Sequence, residues 1–277
     1  MSVFSGKKVF ITGGSSGIGL ATARALVAQG AHVWIAARRA GPLADAAAEL
    51  RAVASSDAQR IGWVALDVGD ADAVAAAAPQ VLAGLGGLDL LINNAGVSKP
   101  AYLHETPVAD FERIHRINYL GTVHVTMAFL DHFRAQRSGH IANVGSTLSF
   151  VGLFGYAAYA SSKFAVNGFS ECIRQDLLPY GIGVTVLYPA DTDTPQLHAE
   201  DAHKPAETKA VAGTAGLSSP EDVASALLAG VARGRFHVVP GFMNRLTWYA
   251  ARFAPWLVRW VADAGVRRAA RKRTGAD

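Results

Sequence analysis

The sequence predicts an α/β fold: a doubly wound, seven-stranded parallel sheet with helices on both faces, followed by a C-terminal amphipathic helical extension. Three observations carry that expectation. Short runs rich in Val, Ile and Leu alternate with Ala-rich stretches of helical spacing, the order expected of repeated βαβ units. Seven such runs recur, at 8–12, 32–36, 61–67, 88–93, 139–144, 183–188 and, with a weaker pattern, 236–239. No self-similarity of ~20–50 residues appears, so a solenoid or propeller is excluded.

Helical spacing fills the gaps at 17–29, 42–54, 70–84, 107–135, 157–178 and 220–232. Residues 191–218 break the alternation, being polar, Pro- and Ala-containing and without a clean period. A long irregular stretch in a compact domain is usually functional, so this one is expected to be a substrate loop. The 277 residues exceed the ~150 of a typical domain, yet a single α/β domain reaches that size. One domain over 1–241 and an extension over 242–277 is the expected division.

Composition narrows the class. Hydrophobic residues make up 51% and charged residues 17%, which excludes a disordered chain. The net charge of +4 is unevenly placed: 242–277 holds eight Lys or Arg against two Asp, leaving the remainder slightly acidic. A main domain of that sign argues against nucleic acid as a partner, whereas the basic tail points to something anionic. The single cysteine, Cys172, forms no internal disulfide and lies in a segment that reads as a buried helix face. Nine histidines without ligand spacing and one cysteine give no metal site. No uncharged apolar run approaches the ~18 residues of a membrane span, and the opening residues lack a signal-peptide layout. The expected location is the cytoplasm, free or peripheral on the cytosolic face of a membrane.

The first chemical signal is Thr12, Gly13, Gly14, Ser15, Ser16, Gly17, Ile18 and Gly19, which leave the first strand and open the first helix. Glycines there allow a tight turn, a close approach to a pyrophosphate and a helix seated on the sheet with its N-terminus facing the phosphate. An acid about 20 residues further on would hold the 2′-hydroxyl of NAD; Arg38 and Arg39 stand there instead. Guanidinium groups grip a 2′-phosphate, so NADP is the expected cofactor, as NADPH or NADP+. Asp67 is placed to bond an adenine amino group, and Asn93, Asn94, Ala95 and Gly96 to turn beside the adenosine ribose; either can also be a plain strand-end turn.

The second signal is Tyr159 with Lys163, an i, i+4 pair on one helical face. An adjacent cation favours the phenolate, so the lysine is expected to make the tyrosine a usable acid. Ser146, at the end of the fifth strand, falls on the carboxyl edge where parallel sheets keep their sites, and its hydroxyl is suited to a substrate carbonyl. Asn118 falls inside the preceding long helix, where a polar side chain disturbs the backbone ladder and holds water.

Together the glycine loop, Asn93 to Gly96, Asn118, Ser146, Tyr159 and Lys163 resemble the short-chain dehydrogenase/reductase family over residues 6 to about 240. The resemblance implies a Rossmann-like oxidoreductase with Asn118, Ser146, Tyr159 and Lys163 as its catalytic set. Lys163 would also hold the nicotinamide ribose, and Asn118 a proton-relaying water. Val68 beside Asp67, and Pro189, Thr192 and Thr194 after the sixth strand, match cofactor-contacting positions. The family's Pro-Gly is Pro189 and Ala190 here. A homo-oligomer, dimer or tetramer, is implied as well.

A narrower resemblance rests on Tyr188 to Pro195, on Lys204 to Thr208 and on Val33 to Arg38. These runs are similar to those of the branch that reduces the C3 ketone of long-chain sphingoid bases with NADPH. The implied partner is a long-chain, lipid-like ketone; a β-ketoacyl or steroid ketone, the oxidative direction and a silent cofactor-binding scaffold are the alternatives. Eukaryotic members carry an N-terminal membrane segment, which is not expected here.

Over 246–272, Leu246, Tyr249, Phe253, Trp256, Leu257, Trp260 and Val261 recur at helical spacing, with Arg245, Arg252 and Arg259 seven apart on another face. That pattern fits an interfacial helix on an anionic membrane surface, using 245–273, with a bend at Pro255. A helix docked on the domain, or on a second subunit, over the substrate cleft is the alternative.

Overall fold

The computed structural model describes residues 2–211 and 216–274. Part of the expected substrate loop (212–215) and the end of the extension (275–277) lie outside the described residues.

Seven parallel strands form one sheet: β1 (Lys8–Thr12), β2 (His32–Ala37), β3 (Ile61–Ala65), β4 (Leu90–Asn93), β5 (Gly139–Val144), β6 (Ile182–Leu187) and β7 (His237–Val238). Their order across the sheet is β3-β2-β1-β4-β5-β6-β7. The chain winds outward from β1 to β3, then returns to place β4 on the other side of β1. The carboxyl ends of β1 and β4 thus flank the point where the winding reverses, which is where open sheets of this kind bind ligands.

Both faces of the strands are apolar because both are covered. Val9, Ile11, Val33, Ile35, Leu90 and Ile92 point to one face, while Phe10, Ala36 and Leu91 point to the other. Helices α1 (Gly17–Ala28), α2 (Ala40–Ala52) and α9 (Pro220–Ala232) pack on the first face through Leu26, Leu43, Leu50 and Leu227. Helices α3 (Ala71–Leu85), α5 (Gly121–Gln136) and α6 (Ala157–Leu177) cover the second, with Phe129 against Phe10 at 5.3 Å between ring centroids. A buried chain of amides and hydroxyls ties β4 and β5 to α5 and α6: Asn93 Nδ2 donates to Thr126 Oγ1 and Asn143 Oδ1, and Asn143 Nδ2 donates to Ser170 Oγ.

Several boundaries differ from the sequence expectation, each for a local reason. β3 stops at Ala65 rather than 67, since Asp67 turns to accept the Gly69 N–H. β4 starts at Leu90 rather than 88, β6 runs one residue earlier than expected, and β7 is only two residues long. The single helix expected over 107–135 is α4 (Val108–His115), a π-helical turn at Arg116–Leu120, and α5. Residues 191–218 are not uniformly irregular: they hold α7 (Pro195–Asp201), capped by Thr194 Oγ1 on the Leu197 N–H, and α8 (Ala206–Val211). Cys172 is exposed, not on a buried face. The inward positions of α6 run through Val166 and Ser170, and two further residues carry Cys172 to the opposite side.

The C-terminal stretch is two helices, α10 (Phe242–Phe253) and α11 (Pro255–Thr274). Pro255, with no N–H to donate, opens α11 rather than merely bending one long helix. Asn244, 1% exposed, holds α10 to the sheet edge: its Nδ2 donates to Tyr188 O at 2.7 Å and its Oδ1 accepts from Thr147 Oγ1 at 2.8 Å. Trp248 lies tilted against His237 at 5.3 Å between ring centroids, and α11 packs on α8, with Gly265 close beside Val211. Among the described residues no helix is long and apolar enough to cross a membrane.

Candidate active site

The loop from β1 into α1 is built on close backbone approaches. Gly13 has φ +67°, and a Cβ there would lie 2.7 Å from Asn94 Nδ2. A Cβ on Gly19 would run into the Gly13 carbonyl oxygen. Asn94 fastens this loop from the neighbouring strand, its Nδ2 donating to Thr12 O and Gly13 O at 3.0 Å. Thr12 Oγ1 accepts in return from the Asn94 and Ala95 N–H groups at 3.0 and 3.1 Å. Thr12 and Gly19 therefore stand behind the loop, while Gly13, Ser15, Ser16, Gly17 and Ile18 face a cavity of about 840 Å³.

That cavity crosses the carboxyl edge of the sheet. Arg38, Arg39, Asp67 and Val68 wall one end; Asn94, Ala95 and Gly96 lie midway; Pro189, Thr192 and Thr194 close the far side. A cradle of small residues, a helix N-terminus and guanidinium groups at one end suit an extended, phosphate-bearing dinucleotide, so the residues fit such a cofactor. Asp67 is partly engaged, its Oδ1 accepting from Gly69 N at 2.9 Å.

Ser146, Tyr159 and Lys163 meet on the same cavity. Ser146 caps a short 3₁₀ turn, its hydroxyl accepting the Leu148 N–H at 3.1 Å, and it lies close enough to the Tyr159 side chain to favour the phenolate. Lys163 Nζ lies 5.8 Å from the Tyr159 ring centroid and donates to Val144 O at 2.8 Å. Burial lowers the Lys163 ammonium to about 8. The tyrosine does not follow the expected direction. Burial first, then the Glu200 and Asp191 carboxylates, push its phenol up, and the Ser146 hydroxyl opposes them. In the protein alone, desolvation and the two carboxylates set the direction.

Asn118 sits in the π-helical turn, fully buried and behind the cavity wall. Its Oδ1 accepts from Val97 N at 2.8 Å, and its Nδ2 donates to Val97 O at 2.9 Å and to Ser162 Oγ at 3.0 Å. The side chain thus fixes the loop after Gly96 to the helix that carries Tyr159.

Sequence reasoning missed two contributors. Tyr156 and Glu200 line the cavity beside Tyr159, and Tyr156 donates to Glu200 Oε2 at 3.0 Å. Thr194 followed by Pro195 is a helix-start signature that marks α7, and hence Glu200, within the stretch read as irregular. The roof of the cavity is the helix docked on the domain over the cleft, which was the alternative for the extension: Leu246, Ala250, Leu257, Val261 and Gly265 of α10 and α11, with Val211 of α8, complete an apolar wall. Asn244, a lone amide beside hydrophobic neighbours, was the available signal for the docking.

With this geometry in place, comparison with known proteins is informative. The family model for short chain dehydrogenase matches residues 7–205. The chain belongs to the short-chain dehydrogenase family. This oxidoreductase is 39% identical over 233 residues to a 3-dehydrosphinganine reductase of Danio rerio, covering 84% of this chain and 70% of that one. It is 32% identical over 274 residues to a putative oxidoreductase, SadH, of Mycobacterium tuberculosis, covering 97% and 98%. Among solved structures, a short-chain dehydrogenase/reductase of Burkholderia phymatum in complex with NAD superposes with a TM-score of 0.75 at 30% identity, covering 86% of this chain and 90% of that one.

The loop geometry makes one outcome measurable. Gly19→Ala forces a methyl group against the Gly13 carbonyl, so it should cost about 1–3 kcal/mol of stability by overpacking. It should also weaken dinucleotide binding at least tenfold in a fluorescence titration. Wild-type affinity in the variant would show that the close contact does not shape the cradle.

Proposed function

We propose that this enzyme reduces the C3 ketone of a long-chain sphingoid base, with NADPH as the hydride source. The observation that carries the reading is the continuity of one cavity from the glycine loop, past Ser146 and Tyr159, to the apolar roof of α8, α10 and α11. A small polar ketone has no use for that roof, whereas an alkyl chain does. The names of the Danio rerio relative and of a Mus musculus 3-ketodihydrosphingosine reductase, 37% identical over 233 residues, point to the same substrate class.

In this reading the chain's own groups hold the substrate and move one proton. The chemistry supplied by a bound nicotinamide dinucleotide is a hydride, delivered to the carbonyl carbon. Ser146 Oγ holds the ketone oxygen by a hydrogen bond, and Tyr159 gives that oxygen its phenolic proton, completing the alcohol. Lys163 stabilises the resulting phenolate and grips the nicotinamide ribose. Asn118 keeps Val97 and Ser162 in register so that Gly96 and Tyr159 face each other, and it is assigned the relaying water. Gly13, Ser15, Ser16, Gly17 and Ile18 cradle the pyrophosphate. Asp67, Val68, Asn94, Ala95 and Gly96 flank the adenosine, and Pro189, Thr192 and Thr194 the nicotinamide. Arg38 and Arg39, exposed at the mouth, take the 2′-phosphate, which is the support for NADP over NAD.

The outer face of α10 and α11 supports a site of action at an anionic membrane surface. Phe253, Trp256 and Trp260 are 81%, 67% and 66% exposed, with Arg245, Arg252 and Arg259 on the same helices. Leu246, Leu257 and Val261 are both exposed and part of the cavity wall, so the substrate passage opens on this apolar face. The docked and membrane-facing readings of the extension are therefore compatible: one face roofs the cleft while the other meets lipid.

Three measurements test these statements. Tyr159→Phe should lower turnover by about 10² or more while NADPH binding persists, and near-normal turnover would remove Tyr159 from its role. Arg38→Asp should shift preference toward NADH by about 10- to 100-fold; a wild type that uses both cofactors equally well defeats the argument. In co-sedimentation, the full chain should bind anionic vesicles, bind neutral ones poorly and release with salt. Changing Phe253, Trp256 and Trp260 together to Ser should abolish that binding, and these side chains are exposed enough for the fold to persist. Binding that is indifferent to lipid charge or to this triple change would sink the membrane reading.

A further inference from the structure

The cavity contains a charge that proton transfer from Tyr159 does not want. Glu200, near the end of α7, is 8% exposed, lines the cavity, and is electrostatically coupled to the Tyr159 phenol. Its Oε2 accepts from Tyr156 OH at 3.0 Å and its Oε1 from Gln196 Nε2 at 2.9 Å. The Tyr156 ring in turn lies 5.9 Å from that of Tyr159. Ser98, whose buried hydroxyl lacks a well-aligned partner, is close enough to favour the charged carboxylate.

Among the described residues no ion pair reaches Glu200, and the nearby Lys204 is held by Asp201 at 2.6 Å. Burial pushes the Glu200 carboxyl above its ordinary range, with the Gln196, Tyr156 and Lys204 contacts opposing. The same carboxylate raises the Tyr159 phenol and so makes it a poorer acid. A cation seated between the two would relieve both effects. A sphingoid ketone brings such a cation, because the carbon next to its ketone carries a primary amine, protonated at neutral pH. With the ketone oxygen on Ser146 and Tyr159, that ammonium has to lie within a few bonds of the phenol.

Resting on the substrate class proposed above, we propose that Glu200 receives the substrate's ammonium group, so that the enzyme selects ketones bearing an amine on the adjacent carbon. Tyr156 and Gln196 are positioning residues that aim the carboxylate. Asp191, which also lines the cavity and acts on Tyr159, adds to the negative potential there.

The test compares 3-ketodihydrosphingosine with the same hydroxy-ketone lacking the amine, using Glu200→Gln, which keeps the side chain's volume and its ability to accept from Tyr156. The ratio of kcat/KM for the amino ketone over the deaminated ketone should fall about 10- to 100-fold in the variant, mainly through KM. Glu200→Asp, which keeps the charge, should retain more of the ratio than Glu200→Gln; the reverse order would assign Glu200 only to holding Tyr156. Binding of dihydrosphingosine against the deaminated 1,3-diol, followed by tryptophan fluorescence, reads the same preference without turnover. Preference for the amine in wild type, lost in Glu200→Gln, supports the site even if the amino ketone is not reduced, in which case the reaction proposal alone falls. Reduction of the amino ketone with an unchanged ratio in Glu200→Gln leaves the reaction standing and removes Glu200 from substrate recognition.

Discussion

The clasp between Asn94 and the β1 turn is the constraint on which the rest of the site depends. β1 and β4 are neighbours only because the chain reverses its winding between them, and their carboxyl ends would otherwise diverge. Asn94 spans that divide with its amide on two carbonyls of the β1 turn, and Thr12 answers with its hydroxyl on two N–H groups of the β4 turn. Four hydrogen bonds thus set the width of the crevice before any ligand arrives. From this fixed line the cradle extends toward β2 and β3, and the serine, tyrosine and lysine extend toward β5 and β6.

The side of the crevice beyond β4 is fixed by a different kind of bond. Lys163 is buried, and its ammonium donates to a backbone carbonyl at the end of β5. Asn118 closes a second link by holding both Val97 and Ser162. A helix, a strand end and a loop therefore share one rigid frame, and the phenol projects from it into space bounded by a carboxylate. Burial in that frame governs the ionisation of both groups: the ammonium is pulled down and the phenol pushed up, which drives their proton affinities apart and leaves the phenol the more tightly protonated of the two.

Most of the sheet was legible in the sequence because a parallel sheet covered on both faces leaves a strong mark, and the seven runs fell where the strands lie. The edges of strands were less legible, since a residue such as Asp67 satisfies itself in a turn instead of the ladder. Ser146, Tyr159 and Lys163 were readable from spacing and the strand end; the direction of the tyrosine's pKa was not, because it depends first on burial and then on Glu200, forty-one residues further on. The roof was the least legible part. A helix with apolar residues on more than one face gives no sign of which face is turned inward, and the answer rested on Asn244 finding Thr147 and Tyr188. Pro255 then turned one expected helix into two, which lets the second lie back over α8.

The π-helical turn at Arg116–Leu120 has a consequence for how this chain can vary in length. Such a turn holds one residue more than an α-helix needs, so removing a single residue there would heal the ladder. The flanking helices would stay close to their present register, but the widened turn that carries Asn118 would be gone. Asn118 would then no longer be presented to Val97 and Ser162 together. Substitutions along the outer surface of α4 and α5 are therefore far easier to accommodate than the loss of one codon between them, because that one extra residue is what turns a buried amide toward two partners at once.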